Sequence, residues 1–204
     1  MLSHNGQIAQ DLFVIHCLQQ KKNGYFLEIG SSDPITINNT YPLEKNFNWK
    51  GIMIEYNTSF SSEYKNKRPN SVHVLQDATT INYKELFEKN NVPYNIDYLQ
   101  IDLEVTNSST IKTLKLLEPL MDTYKFATVT FEHDIYRGDY FDTRSESRRI
   151  FLEKGYKLIF PDVRDGDSKF EDWYVHPDLV DVNRIAHLIT EKSLDWREIS
   201  KFYM

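Results

Sequence analysis

Apolar positions recur along this chain in short blocks whose period switches repeatedly between helical and extended spacing. Gly6 to Gln20 carries Ile8, Leu12, Ile15 and Leu18, which suits one face of a helix. Lys21-Lys22-Asn23-Gly24 is expected to close it, with basic residues in the last turn and glycine in the terminating position. Tyr25 to Ile29 is a short apolar strand, followed by a helix from Thr40 to Phe47. Gly51 to Glu55 and Val72 to Leu75 are the next strands, with a helix between them over Ser59 to Lys67. Asp97 to Leu103 is a fourth strand. Ser108 is expected to cap a helix holding Ile111, Leu114 and Leu117, which ends near Pro119. Ala127 to Phe131 is a fifth strand, and a helix from Ser145 to Lys154 stops at Gly155. Tyr156 to Phe160 and Asp172 to Val175 are the last strands, expected to pair as a hairpin. Short helices fill the stretch from Asp181 to the end.

Strands alternating with helices imply βαβ units and a mostly parallel sheet. Right-handed crossovers then force an open, doubly wound α/β arrangement with a C-terminal antiparallel pair. No repeat or low-complexity linker interrupts it, so residues 1–204 read as a single domain. In such sheets ligands bind beyond the carboxyl ends of the strands. Polar clusters stand at five of those ends: Glu28 to Asp33, Glu55-Tyr56-Asn57, Asp77-Ala78, Asp102-Leu103-Glu104 and Glu132-His133-Asp134.

Composition narrows the partners. The 24 basic and 30 acidic side chains leave a formal charge of −6, which argues against nucleic acid, since phosphate binding needs concentrated positive charge. No apolar run approaches a membrane span, and the first residues lack the pattern of a signal peptide. The expected location is therefore cytoplasmic. The single cysteine, Cys17, reads as a small packed residue on a helix.

The turn after the first strand carries the most specific chemistry. A dinucleotide site shows G-x-G-x-x-G there, whereas this chain has only Gly30, within Glu28-Ile29-Gly30-Ser31-Ser32-Asp33. One glycine allows a tight turn and close backbone approach. Two acids would repel a pyrophosphate but suit a ligand with a positive end. S-adenosylmethionine carries a sulfonium and an ammonium and no phosphate. Glu55, ending the second strand, can accept both ribose hydroxyls. Asp77 beside Ala78 sits where a side chain could bond an adenine amino group.

At these residues the chain resembles the FkbM-type methyltransferases. The resemblance is carried by QDLFVIHCL, NGYFLEIGSSDP, NNTYPLEKNFNWKGIMIEYN, DYLQIDLE, TVTFEHDIY, RRIFLEKGYKL and EDWYVHPDL, over roughly residues 7 to 180. It implies a Rossmann-like, class I methyltransferase-like fold binding S-adenosylmethionine at the sheet edge. It also implies O-methylation, often of a sugar or another small hydroxylated acceptor. By motif, Glu28, Gly30, Ser31 and Asp33 would line the methionine end, and Glu55 and Tyr56 the ribose. Asp77 and Ala78 would meet the adenine. Asn39 and Thr40 would shape the same pocket, with Asp102 and Leu103 beside it. Many relatives read IDVEG where this chain has Ile101-Asp102-Leu103-Glu104-Val105, so the backbone next to the acceptor is expected to differ. Similar domains occur in large DNA viruses that build their own glycans, which points to a glycan acceptor such as a deoxysugar and, for a viral chain, to the host cytoplasm.

Methyl transfer to a hydroxyl needs alignment and a general base. His133 is the first candidate base, with Glu132 or Asp134 orienting its ring; Asp102 is the alternative. Asp102, Glu104 and Glu132 could instead gather a divalent cation such as Mg²⁺ if they converge, although no metal is assigned. Arg144, Arg148 and Arg149 read as a solvated helix face, and Trp173 as either acceptor wall or core. Two other readings stand beside the methyltransferase: a non-catalytic cofactor-binding or scaffold module in a glycan-building assembly, and a nicotinamide enzyme lacking the glycine fingerprint.

Overall fold

The structure is a computed structural model that describes residues 4–203; Met1 to Ser3 and Met204, which belong to the expected chain-long domain and its terminal helices, lie outside the described residues. The elements alternate as α1 (Gln10–Cys17), β1 (Tyr25–Ile29), α2 (Tyr41–Phe47), β2 (Lys50–Glu55), α3 (Ser61–Lys67), β3 (Val72–Leu75), α4 (Tyr83–Lys89), β4 (Asn95–Ile101), α5 (Ser109–Leu117), β5 (Lys125–Glu132), α6 (Phe141–Glu153), β6 (Lys157–Asp165), β7 (Ser168–Val175) and α7 (Trp196–Ser200).

The seven strands form one sheet in the order β3-β2-β1-β4-β5-β7-β6. β1 to β5 are parallel, and β7 runs antiparallel between β5 and β6. The strand order reverses beside β1, between β1 and β4, where a doubly wound sheet opens a crevice. Alternation along each strand sends successive side chains to opposite faces. Phe26, Met53, Tyr98 and Trp173 pack on one face with Phe13 of α1. Leu27, Ile52, Leu99 and Val129 pack on the other with Phe87, Leu114 and Phe151 of α4, α5 and α6. Cys17 is buried in the first of these cores. Pro161 lies within β6, which tolerates it because β6 is an edge strand.

Several boundaries differ from the sequence reading. α1 ends at Cys17, because Gln19 and Gln20 adopt positive φ and break the helix before the lysines. Gly24 does not terminate it; a Cβ there would sit 2.4 Å from the Trp49 ring, so this glycine makes room for an indole. Ser108 precedes α5 in a left-handed conformation without a side-chain cap, and Asn107 Oδ1 accepts from the Ser109 N–H instead. α4 is an added element. Asn82 caps it and Tyr83 and Phe87 anchor it, but its seven residues are too few for a clear helical period. The final strands do pair as a hairpin, longer than expected, with register shifts near Asp162. No helix among the described residues is long and apolar enough to cross a membrane.

Candidate functional site

The carboxyl ends of β1 to β5 open on a cleft of about 930 Å³. Its floor is built by close approach of two strand ends. The chain leaves β1 through Gly30 at φ +84°, and its N–H donates to the Ile54 carbonyl. The Asp102 N–H in turn donates to the Ile29 carbonyl. A Cβ on Gly30 would lie 1.7 Å from the Asp102 carbonyl oxygen, so the tight turn and the strand contact both demand glycine.

Glu28, the last polar residue of β1, is fully buried. Its Oε2 accepts from Thr40 Oγ1 at 2.8 Å and Asn38 Nδ2 at 3.2 Å, while Oε1 has no partner among the described residues. Burial raises its pKa to about 7, and Arg68, Thr40 and Asn38 pull the other way. Glu55 is held differently: Oε2 accepts from the Ser32 N–H and Oε1 from the Asn57 N–H, at 2.9 and 2.8 Å. Both oxygens are thus fixed in place, each with capacity to accept once more. Asp33 turns its Oδ1 back onto the N–H groups of Ile35 and Thr36. Asp77 caps a 3-10 turn through Thr79, whose backbone N–H holds its carboxyl below the usual range, and Ala78 is buried beside it. Ser31 Oγ meets the Tyr64 hydroxyl at 2.6 Å, and Tyr56 stands largely exposed at the rim.

Asp102 and Glu132, just past β4 and at the end of β5, are half-buried and line the cleft. Burial raises both pKa values, and each carboxyl bears on the other. Two neighbouring carboxyls cannot both ionise cheaply, so the pair retains a proton above the usual carboxylate range. Asp134, and Glu171 opposite Glu132 on β7, extend the acidic end. Glu171 accepts from Trp173 Nε1 and is pushed up to about 8 by burial first, with Asp102 adding to it. Among the described residues the cleft lining carries seven carboxyl side chains, Leu103 beside them, and a single cation, Arg137.

Four sequence expectations are corrected here. Asn39 and Thr40 do not line the cleft; Thr40 supports Glu28 from behind, and Asn39 Nδ2 donates to Gln100. Asp102, Glu104 and Glu132 do not converge as metal ligands. Among the described residues the one trio with ligand atoms within 4.8 Å is His133, Asp162 and Asp172. His133 itself is not among the cleft residues. It follows Glu132 by one position, so its side chain falls on the opposite face. There its Nε2 lies 3.4 and 3.5 Å from Asp162 and Asp172, too long for well-formed hydrogen bonds, and Nδ1 has no partner. Burial favours the neutral ring, but the two acids outweigh it and raise its pKa. Arg148 grips Asp172 through two bonds of 2.7 Å and also reaches Asp162, while Arg144 holds Asp162. Arg144 and Arg148 are therefore not a solvated face, and they already neutralise the acids that a metal would need, whereas Arg149 is exposed and pairs with Glu146 and Glu153 on the surface. Trp173 is fully buried and belongs to the core. The residues that sequence reasoning missed are Asn38, Glu171 and Arg68, none of which stands at the tip of a strand.

No family profile matches this chain, and no curated protein matches it in sequence. Solved structures do. A TehB-like SAM-dependent methyltransferase from Corynebacterium glutamicum aligns over 81% of this chain and 86% of its own, with TM-score 0.54 and 11% identity. The methyltransferase domain of the bacterial protein CtHen1-C aligns over 84% and 97%, with TM-score 0.53 and 12% identity. The CurJ carbon methyltransferase aligns over 84% of this chain and 55% of its own, with TM-score 0.54 and 13% identity. The fold is that of class I methyltransferases. Identities this low carry the architecture alone.

Proposed function

We propose that this protein is an S-adenosylmethionine-dependent O-methyltransferase of the FkbM type, acting on a hydroxyl of a sugar or similar small acceptor. The observation that carries the reading is Glu28: a buried carboxylate in the cleft with one oxygen left unpartnered, beside a glycine turn with no room for a side chain. A buried carboxylate of this kind calls for a positive partner. The cleft's charge points the same way, because seven acids against one arginine oppose a pyrophosphate or a nucleic-acid acceptor.

The residues present fit the cofactor. Glu28 and the Gly30–Ser31 backbone would hold the methionine end, with Asp33 bracing the turn. Glu55 would accept both ribose hydroxyls, with Tyr56 at the rim. Asp77 and Ala78 would meet the adenine, and Leu103 would close the far wall. When bound, S-adenosylmethionine supplies an electrophilic methyl group on a sulfonium. Asp102 is then placed to take the acceptor's proton as the new O–C bond forms. Glu132, holding its own proton, keeps the pair at a single charge and can donate to a neighbouring acceptor oxygen. His133 would serve behind β5, as a charge-balancing group rather than as the base.

Calorimetric titration with S-adenosylmethionine, followed by a screen of deoxysugar-terminated glycans with methyl-labelled cofactor, tests the proposal. Binding without sugar labelling would retain the cofactor but reject the acceptor class; no binding would reject the function. Glu55→Ala strips the acceptor from two backbone N–H groups and from the ribose. Its affinity is expected to fall about 10- to 100-fold, the worth of one or two hydrogen bonds to a charged group. An unchanged affinity would remove Glu55 from the site.

A further inference from the structure

Arg68 is the most buried cation among the described residues, with a side chain that exposes none of its surface. It follows α3 in Lys67-Arg68-Pro69-Asn70 and does not line the main cleft. Burying a guanidinium is costly, and one acid would suffice to balance it. Glu44 is that acid, 2.8 Å from Nε. The rest of the fork is spent on a single stretch of chain, the loop between β1 and α2. Nη1 donates to the Pro34 carbonyl at 3.0 Å and to Asn38 Oδ1 at 2.9 Å, and Nη2 donates to Thr40 Oγ1 at 2.8 Å.

These contacts decide which way two further groups face. Thr40 Oγ1 accepts from Arg68, so its one hydrogen is free to go to Glu28 Oε2. Asn38 Oδ1 accepts from Arg68 and from the N–H groups of Thr40 and Tyr41. Its amide orientation is thereby locked, and Nδ2 must point at Glu28 Oε2 and the Ser31 carbonyl. Both donors that hold Glu28 are therefore aimed by Arg68, and both act on the same oxygen. The other oxygen is left for the cleft.

Resting on the cofactor reading above, we propose that Arg68 is a positioning residue for the cationic end of the cofactor, setting the orientation and the charge of Glu28 through Thr40 and Asn38. Its charge works in the same direction as its geometry. Burial drives Glu28 toward the neutral acid, and Arg68 is the largest opposing influence. Glu55 and Asp102 line the same cleft, and Tyr64 of α3 and Tyr98 of β4 also face Glu28. Burial raises the pKa of both tyrosines, so they stay neutral through the range in question. An ammonium binds the ionised acid, so cofactor affinity rises with pH and levels off above about 7.

The test is calorimetric titration of S-adenosylmethionine from pH 5.5 to 8.5, with thermal unfolding to confirm that each variant is folded. Arg68→Lys keeps the charge but loses the fork, and is expected to bind about tenfold more weakly. Thr40→Val cuts the relay while sparing the Arg68–Glu44 pair, and is expected to lose about fivefold. Arg68→Met removes the charge, and its pH midpoint should move up by at least one pH unit. Glu28→Gln should bind weakly with a flat profile. If Arg68→Met does not fold, Arg68→Lys and Thr40→Val decide the matter. Wild-type affinity and an unmoved midpoint in both would overturn the proposal while leaving the cofactor reading intact. Absence of binding by the wild-type protein would overturn the cofactor reading itself, and this inference with it.

Discussion

Gly30→Ala is expected to lower stability by about 3–5 kcal/mol and to abolish cofactor binding. Two effects add at this position. At φ +84° an L-residue pays roughly 1–2 kcal/mol for the left-handed backbone alone. The larger effect is steric. The new Cβ would lie 1.7 Å from the Asp102 carbonyl oxygen and 2.8 Å from its carbon, both backbone atoms. Relief requires β1 and β4 to part at their carboxyl ends, which breaks the Asp102 N–H bond to the Ile29 carbonyl. That bond shapes the cleft floor, so stability and ligand affinity should fall together. At this chain length 1 kcal/mol corresponds to roughly 2–4 °C, and the melting temperature should drop by about 10 °C. Gly166→Ala is the matched control. It also has positive φ, at +59°, but no atom stands within 4 Å of the added carbon, so only the backbone cost, about 1 kcal/mol, is expected. A melting temperature for Gly30→Ala no lower than that of Gly166→Ala would show that the two strand ends do not meet as described.

The same position shows what the amino-acid sequence makes legible. Short β-branched and aromatic runs that end on an acid, as in Phe26-Leu27-Glu28 and Ile52-Met53-Ile54-Glu55, mark a strand and its carboxyl end at once. A parallel sheet brings those ends together whatever the details of packing. Glu28, Glu55, Asp77 and Asp102 could therefore be grouped in one cleft from the strand pattern alone. Parity at a strand end is harder to read. Glu132 and His133 are adjacent in sequence and fall on opposite faces, and the histidine belongs to the Asp162–Asp172 cluster. That cluster depends on the irregular register of β6 against β7, which no local pattern encodes. The contacts behind Glu28 are less legible still. Arg68 lies 28 residues from Thr40 and 30 from Asn38, and a single arginine between Lys67 and Pro69 reads as a surface residue until the fold buries it. Helix ends were misjudged where positive φ fell on Gln19 and Gln20, residues with no special tendency to adopt it.

Asp102→Asn is expected to cut the methyl-transfer rate about 1000-fold while leaving cofactor affinity within threefold. General-base removal typically costs 10²–10⁴ in rate, and the geometry places this loss at the chemical step. Asp102 and Glu132 sit at the ends of β4 and β5, on the side of Glu28 away from Glu55 and Asp77, so the function lost is proton acceptance rather than the hold on the ribose and adenine. The exchange should not harm folding, since a neutral amide at position 102 removes a charge that burial disfavours and can still accept a hydrogen bond. The pH dependence separates this from a packing defect. In the wild-type protein the rate should rise with pH as the acid pair loses its first proton and then level off while the pair keeps its second. The variant should lack that rise. Glu132→Gln keeps a neutral donor beside Asp102, so the rise with pH should be retained in that variant. The measurement is single-turnover transfer of a labelled methyl group to a glycan accepted by the wild-type protein. An Asp102→Asn rate within threefold of wild type would remove the acid pair from the chemistry and return the search for a base to the remaining acids of the cleft.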